Sequence, residues 1–168
     1  MAIHETKTEH LAIAANAQQR FEDYLQSRGM RNTEQRRALI NIVFSEHEHF
    51  DADQLMDRLP RRGTKGYVSR PTVYRTLNEF VDAGLLKKFE LDGRSVFEPE
   101  YGYPEHDHFY CSRCQQLIEF QSPQLSDEIK QIADEHNFQT RAHRLLITGI
   151  CGDCRQSRQR KRRRVDRI

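Results

Sequence analysis

Residues 105 to 120 read EHDHFYCSRCQQLIEF, and this short stretch decides the fold of the carboxyl-terminal part of the chain. It contains a Cys-x-x-Cys pair, Cys111 and Cys114, whose two-residue spacer lets both thiolates face one ion. A second pair follows at Cys151 and Cys154, and these two pairs account for all four cysteines of the chain. Two such pairs separated by 36 residues predict a closed, structural four-cysteine zinc site.

Two disulfides or a redox-active dithiol could use the same cysteine spacing. The cellular compartment in which the chain is expected bears on the choice between disulfides and zinc. No apolar run approaches the roughly 18 residues of a membrane span, and the amino terminus lacks the apolar region of a signal peptide. We therefore expect a cytoplasmic protein without a membrane segment, where thiols stay reduced and zinc is favoured over disulfides.

A second group of potential ligands immediately precedes the first cysteine pair. If this segment is a strand, His106 and His108 share one face, while Glu105 and Asp107 share the other. The apolar run after the knuckle is then the returning strand and brings Glu119 within reach of the histidines. Imidazole and carboxylate ligands without thiolate suit Fe(II), Mn(II), Co(II) or Zn(II). The alternative is a solvated polar strand.

Length and charge set the broad class. The chain has 168 residues, enough for two small domains, and a net charge of +2. The tail from Arg155 to Ile168 holds eight basic residues and one acid, so the other 154 residues carry −5. Such a tail is typically disordered and adds sequence-independent affinity for polyanions, or only solvates the end of the chain.

The amino-terminal part alternates apolar helical stripes with caps and ends in a hairpin signal. Thr33 is a good N-cap, Asp51 with Gln54 resembles a capping box, and Asp92-Gly93 is a strong hairpin turn. The pattern predicts helices over residues 10–28, from 33, over 51–59 and over 69–83, and then a two-stranded hairpin. This order is typical of a winged helix-turn-helix domain, whose last helix enters the DNA major groove.

The last of these helices indicates nucleic-acid binding. Val73, Leu77 and Phe80 form its apolar stripe, and its opposite face carries basic and aromatic residues. Arginine commonly reads guanine, and tyrosine can contact phosphates or thymine methyl groups. An ordinary helix with a solvated basic face, or a winged helix that binds protein, would show a similar pattern. The residues predicted to contact DNA are Arg70, Thr72, Tyr74, Arg75, Arg31 and Arg36.

These patterns predict an α+β protein of two domains with a small hinge. Residues 1–98 form the winged-helix domain, 99–104 (PEYGYP) the hinge, 105–154 the dimerisation and metal-binding domain, and 155–168 the basic tail. The second domain should contain a helix from Ser122, with Leu125, Ile129 and Ile132 facing inward, and a strand over 144–147. It is too small to be stable alone, and a structural zinc and a second copy are common remedies.

The motifs together resemble the ferric uptake regulator family of bacterial metal-dependent repressors. The resemblance is carried by RPTVYRTL at residues 70–77, HDH at 106–108, the two cysteine pairs and IEF at 118–120. It extends from about Phe21 to Cys154 and implies a homodimer that binds a palindromic operator when metal closes its two DNA-binding domains. It also implies a regulatory metal site formed by His49, Glu98, His106, His108 and Glu119, beside structural zinc on the four cysteines.

The resemblance further suggests which signal is sensed. Zinc-sensing relatives usually add a cysteine to the regulatory site, and peroxide-sensing relatives favour Asp where this chain has Glu119. Both facts favour Fe(II) as the regulatory metal, with Mn(II) or Zn(II) as substitutes. Many relatives also hold a second metal on the opposite strand face. Here the candidates for such a weak site are Glu105, Asp107 and His143, and Ser126 stands at the usual Glu position.

Two other function classes explain less of the sequence. A metalloenzyme could use the His/Glu cluster, but the chain shows no conventional catalytic motif and we expect no small-molecule substrate. A zinc-ribbon interaction protein would account for the cysteines and ignore the basic helix face. The sequence therefore predicts a non-enzymatic, metal-dependent repressor of metal-homeostasis genes that binds double-stranded DNA as a homodimer, with peroxide or zinc sensing as alternatives.

Overall fold

The computed structural model describes residues 7–45 and 47–157. Their main elements are, in chain order, α1 (Lys7–Ser27), α2 (Glu34–Val43), β1 (Phe50–Asp51), α3 (Ala52–Arg58), α4 (Arg70–Asp82), β2 (Leu86–Leu91), β3 (Arg94–Pro99), β4 (Asp107–Cys111), β5 (Leu117–Phe120), α5 (Pro123–Glu135) and β6 (Leu146–Gly149). Residues 152–157 are also helical. The chain divides into two compact units between Pro104 and Glu105. The α+β prediction is confirmed. Most of the predicted basic tail lies outside the described residues.

Local sequence signals fix the helix ends of the amino-terminal unit. The Thr33 side chain accepts a hydrogen bond from the Arg36 N–H, and Asp51 and Gln54 form the predicted capping box. Ser69 occupies the N-cap position of α4 but makes no capping bond; its hydroxyl instead lies 2.9 Å from that of Thr72. Of these three N-cap positions, Ser69 is therefore the one whose side chain does not cap its helix.

A three-stranded sheet of order β1-β3-β2 completes this unit. Asp92 and Gly93 both have positive φ, 50° and 77°, which is the conformation that a tight two-residue hairpin turn requires. The short strand β1 was not predicted. It pairs Phe50 with Phe97 and Asp51 with Val96, and so extends the predicted wing by a third strand.

The hydrophobic core of the amino-terminal unit draws on α1 to α4 and on the sheet. Phe21 and Phe80 meet edge to face with ring centroids 4.7 Å apart, and both are essentially inaccessible to solvent. The chain after β3 also packs on this unit: Arg20 lies over the Tyr101 ring, and a side chain at Gly102 would collide with Ile13. Residues 100–103, predicted to be hinge, are therefore anchored by packing in this unit.

The carboxyl-terminal unit is built on a second sheet of order β5-β4-β6. Strands β4 and β5 form the predicted antiparallel pair around the first cysteine knuckle, whereas β6 runs parallel to β4. Helix α5 begins as expected, with Ser122 as N-cap and Pro123 in its first turn.

Burial in this unit departs from the prediction. Helix α5 has no buried residue, and Ile132, expected to face inward, is 50% exposed. Phe109, Ile118 and Ile147 lie side by side across the three strands and are each about 40% exposed. An apolar row of this kind, left open on one face of a sheet, is typical of an interface.

Candidate metal centres and nucleic-acid interface

The four cysteines come together at the end of β4. Cys111 ends the strand, and the chain turns through Cys114 to Gln115, which has a positive φ of 63°. The Ser112 N–H and hydroxyl both donate to the Gly149 carbonyl, which ties this knuckle to the end of β6. All four sulfur atoms lie within 4.8 Å of one another, and none is in a disulfide.

The sulfur geometry fits zinc. Cys114 Sγ and Cys151 Sγ are 3.7 Å apart. The edge of a tetrahedron with zinc–sulfur bonds of about 2.3 Å is about 3.8 Å. The N–H groups of Cys151 and Cys114 point at the Cys111 sulfur and lower the pKa of that thiol to about 6. One ligand is thus prepared as a thiolate.

The opposite shift is found at Cys154, where burial and the neighbouring sulfurs raise the pKa to about 12. A metal that binds here must displace the protons of those cysteines that are still thiols, as is usual when thiols become metal ligands.

The carboxyl-terminal unit also collects three of the five predicted regulatory ligands. His108 and Glu119 are directly opposite each other in the β4–β5 pairing, and the His106 and His108 ring centroids are 4.8 Å apart. His106 Nε2 lies 4.0 Å from Glu119 Oε1. The side chain of His106 is only 3% exposed and His108 is buried, so both imidazoles are shielded from water.

The amino-terminal unit holds the other two predicted ligands. His49 immediately precedes β1 and Glu98 lies in β3, next to the paired residues Phe50 and Phe97. His49 Nε2 is 3.5 Å from Glu98 Oε1, and the Glu98 side chain has no exposed surface. Such a buried carboxylate requires compensation by polar or charged groups.

Sequence reasoning gave no role to His47, which the structure places at the same carboxylate. His47 Nε2 is 3.7 Å from Glu98 Oε1, and its ring stacks on Tyr103. The signal that could have found it is its i, i+2 spacing to His49, the same spacing that drew attention to His106 and His108.

The candidates for a second metal site are arranged differently. Asp107 Oδ1 accepts a hydrogen bond from the Leu145 N–H at 3.0 Å, and its Oδ2 lies 3.3 Å from His143 Nε2. The Ser126 hydroxyl, at the position where the family resemblance implies a Glu ligand, donates to the Ser122 carbonyl. Within residues 7–45 and 47–157, no third ligand atom joins Asp107 and His143 to form a compact group, although Glu105 lines the same cavity of about 210 Å³.

The predicted DNA-contacting residues fall into two groups. Tyr74, Arg75 and Arg31 are exposed, while Arg70 is exposed and pairs with Asp53 at 2.7 Å. The Thr72 hydroxyl faces that of Ser69. The arginines and the lysine of residues 61–65 are exposed as well, so both the loop before α4 and the open face of this helix offer basic side chains to the solvent.

Arg36 has a different position from the other predicted DNA contacts. Its Nη2 and Nε atoms bond to the two carboxylate oxygens of Glu79, at 2.6 and 2.9 Å, and both side chains are only 12% exposed. The pair joins α2 to α4. The geometry gives Arg36 a structural role, and its predicted contact with DNA has no support from its surroundings.

A fold of this kind, with a basic helix face, a four-cysteine cluster and His/Glu ligands, defines a metal-responsive DNA-binding regulator. Residues 27–148 match the model of the Ferric uptake regulator family, and the chain belongs to this family. Its members are transcriptional regulators, not enzymes, and they bind DNA operators as dimers.

Individual relatives cover most of the chain. The ferric uptake regulation protein of Rhizobium leguminosarum bv. viciae is 38% identical over 133 residues, which are 77% of this chain and 90% of the relative. The peroxide-responsive repressor PerR of Staphylococcus epidermidis is 32% identical over 79% of this chain and 86% of its own. The crystal structure of the Vibrio cholerae ferric uptake regulator superposes with a TM-score of 0.63 at 32% identity, covering 76% of this chain and 96% of that one.

Among the helices formed by the described residues, none combines the length and the apolar composition that a bilayer span requires.

Proposed function

We propose that this chain is an Fe(II)-responsive repressor that binds a palindromic operator as a homodimer and controls metal-homeostasis genes in the cytoplasm. The observation that carries the proposal is the set of ligands outside the zinc cluster. These are imidazoles and carboxylates, with no thiolate among them, and they are largely shielded from water. Fe(II) and Mn(II) accept such ligands, while a site built to prefer zinc commonly adds sulfur.

The regulatory ion would be held by His49, Glu98, His106, His108 and Glu119. Two of these ligands belong to the amino-terminal unit and three to the carboxyl-terminal unit. A bound divalent ion supplies a positive centre that both sets of ligands can share. An equilibrium between arrangements shifts toward the one in which the ion is bound best, so ligands on both units can make DNA affinity metal-dependent.

The choice of Fe(II) over other signals rests on two residue types. All four cysteines lie in the zinc cluster, which leaves none for the cysteine-containing regulatory site of zinc-sensing relatives. Glu119 stands where peroxide-sensing relatives favour Asp. Mn(II) and Zn(II) are expected to substitute in vitro. Peroxide sensing is the second candidate, because a peroxide-responsive repressor is among the relatives at 32% identity.

The apolar row of Phe109, Ile118 and Ile147 supports self-association through the carboxyl-terminal unit. A second copy laid against this row would bury surface that α5 and the sheet leave open in one chain. On DNA, two copies would then present two α4 helices, which is the arrangement that a palindromic operator requires.

Anaerobic binding to a labelled AT-rich palindromic duplex, at fixed salt, tests this proposal. Zinc-loaded protein would be titrated with Fe(II), Mn(II), extra Zn(II) or a chelator, and binding followed by fluorescence anisotropy. We expect tight binding with Fe(II) or Mn(II) at concentrations where extra Zn(II) has little effect.

Two variants make the test specific. Replacing both His106 and His108 by Ala should abolish the metal dependence, whereas His136→Ala, at an exposed histidine after α5, should leave it intact. Equal affinity with metal and with chelator in the wild type would contradict the regulatory assignment while leaving DNA binding itself intact.

A further inference from the structure

His47 and His49 both lie beside the same oxygen of the Glu98 carboxylate. Its Nε2 is 3.7 Å from Glu98 Oε1, and the His49 Nε2 is 3.5 Å from that same oxygen. The regulatory ligand set that the family resemblance implies includes His49 and Glu98 and does not include His47.

A ligand carboxylate that is buried needs a second group to fix its orientation. Glu98 is 0% exposed, so water does not hold its oxygens in place. If His49 were to ligate the ion, its imidazole would no longer serve the carboxylate as a hydrogen-bonding neighbour. Within the amino-terminal unit, His47 is a second imidazole near Oε1, and in the tautomer protonated at Nε2 it can donate to this oxygen after a small approach.

The His47 ring is itself fixed by an aromatic contact. Its centroid lies 3.8 Å from that of Tyr103, the two planes differ by only 6°, and the side chain is 13% exposed. Stacking restricts both the rotamer and the ring plane of His47, so its Nε2 stays directed at Glu98. Tyr103 lies one residue before Pro104, the last residue of the amino-terminal unit.

We propose that His47 is a positioning residue for the regulatory metal site: it orients the Glu98 carboxylate, and Tyr103 orients His47. The inference rests on the proposed regulatory role of Glu98. It makes the metal affinity of this chain depend on a histidine that does not touch the ion. It also links the ligand Glu98, through His47, to Tyr103 in the segment immediately before the second unit. Groups that orient metal ligands typically change metal affinity about 10- to 100-fold when they are removed.

The test uses full-length, zinc-loaded protein and Co(II) as the probe, since its absorption bands report the number and type of ligands. Affinity would be measured by competition with a chromophoric chelator for the wild type, His47→Ala and His47→Gln. Gln retains an N–H donor at a similar reach, so it separates the loss of the donor from the loss of bulk. His49→Ala removes a ligand, and His136→Ala is the matched control at an exposed histidine.

We expect His47→Ala to weaken Co(II) binding about 10- to 100-fold with unchanged band positions, and His47→Gln to stay within a few-fold of the wild type. Tyr103→Ala should weaken binding less, and Tyr103→Phe hardly at all. The double variant of His47→Ala and Tyr103→Ala should bind no more weakly than His47→Ala alone, because both changes act through one imidazole. Zinc content should match the wild type throughout, and every variant should keep a cooperative thermal transition, with some loss of stability where Tyr103 is removed from its packing.

Three results would overturn the positioning role. Unchanged Co(II) affinity in His47→Ala would show that Glu98 does not need this neighbour. Shifted Co(II) bands in that variant would show that His47 is itself a ligand. Equal losses of Co(II) affinity in His47→Ala and His47→Gln would show that the N–H donor is not what His47 contributes. Failure of the proposed function is distinguishable, because His49→Ala would then bind Co(II) as the wild type does.

Discussion

The amino-terminal unit encloses a core of phenylalanine and aliphatic side chains from four helices and a sheet, whereas the described part of the carboxyl-terminal unit buries only Tyr110 and Cys111 among its hydrophobic residues. The second unit instead gathers four thiols and leaves Phe109, Ile118 and Ile147 half-exposed on its sheet. We therefore expect the two units to obtain their stability from different sources: the first from apolar burial within one chain, and the second from a bound metal and from contacts with a second copy.

This difference suits the division of tasks in a metal-responsive regulator. A DNA-reading helix must keep its shape whether or not metal is bound, and α4 is fixed by the buried residues Val73, Leu77 and Phe80. We propose that the carboxyl-terminal unit is instead completed by assembly, because a dimerisation unit functions only as a pair. The contrast can be tested by changes directed at each unit in turn.

Loss of a zinc ligand should have the largest effect. We expect Cys151→Ser to unfold the carboxyl-terminal unit and abolish self-association, because structural zinc contributes roughly 10–16 kcal/mol of apparent free energy in small zinc domains. The amino-terminal unit should remain folded. Calorimetry would show one transition lost and one retained, and sedimentation would show monomer.

Ser112→Ala is the matched control for this change, since it removes one hydrogen bond in the same knuckle but no ligand. It should keep both transitions and the bound zinc. A dimer that survives in zinc-free Cys151→Ser protein would mean that apolar contacts alone hold the second unit together.

A pair of phenylalanine variants should separate the two sources of stability. Phe80→Ala should lower the free energy of unfolding of the amino-terminal unit by about 3–5 kcal/mol, because it leaves a cavity in a closed core. Phe109→Ala should change the unfolding of the monomer little but weaken the dimer by about 2 kcal/mol, roughly 30-fold in Kd. Chemical denaturation and sedimentation equilibrium measure the two quantities. Equal effects of both variants on the dissociation constant would contradict the proposed contrast.

The elements that sequence reasoning placed correctly are those with local signals. The capping box at Asp51, the Asp92-Gly93 turn and the Cys-x-x-Cys knuckles each depend on residues within a few positions, so their geometry follows from short-range chemistry. The i, i+2 histidines and the opposed Glu119 also follow from strand alternation and one hairpin. The family motifs extended this reasoning to His49 and Glu98, which no local pattern connects.

What the sequence could not provide depends on long-range packing. The stacking of His47 on Tyr103 joins residues 56 positions apart, and the parallel pairing of β4 with β6 spans an intervening helix. Ile132 was expected to face inward because it lies on the apolar stripe of the predicted helix, together with Leu125 and Ile129. Periodicity identifies the apolar face of a helix. It does not show whether residues of the same chain or of another copy pack against that face.

Arg36 and Arg75 offer the finest test, because both were predicted to contact DNA and the structure separates them. Arg36→Ala should lower the stability of the amino-terminal unit by about 1–3 kcal/mol, since it leaves the largely buried Glu79 without its bidentate cation. Arg36→Lys should restore only part of this, because an ammonium group cannot form both bonds in one plane. Arg75→Ala should leave stability unchanged and weaken duplex binding, with a smaller salt dependence if it contacts phosphate. Denaturation combined with anisotropy at two salt concentrations measures both properties. If Arg36→Ala reduced DNA affinity at full stability, Glu79 would be holding Arg36 in place for the duplex rather than joining α2 to α4.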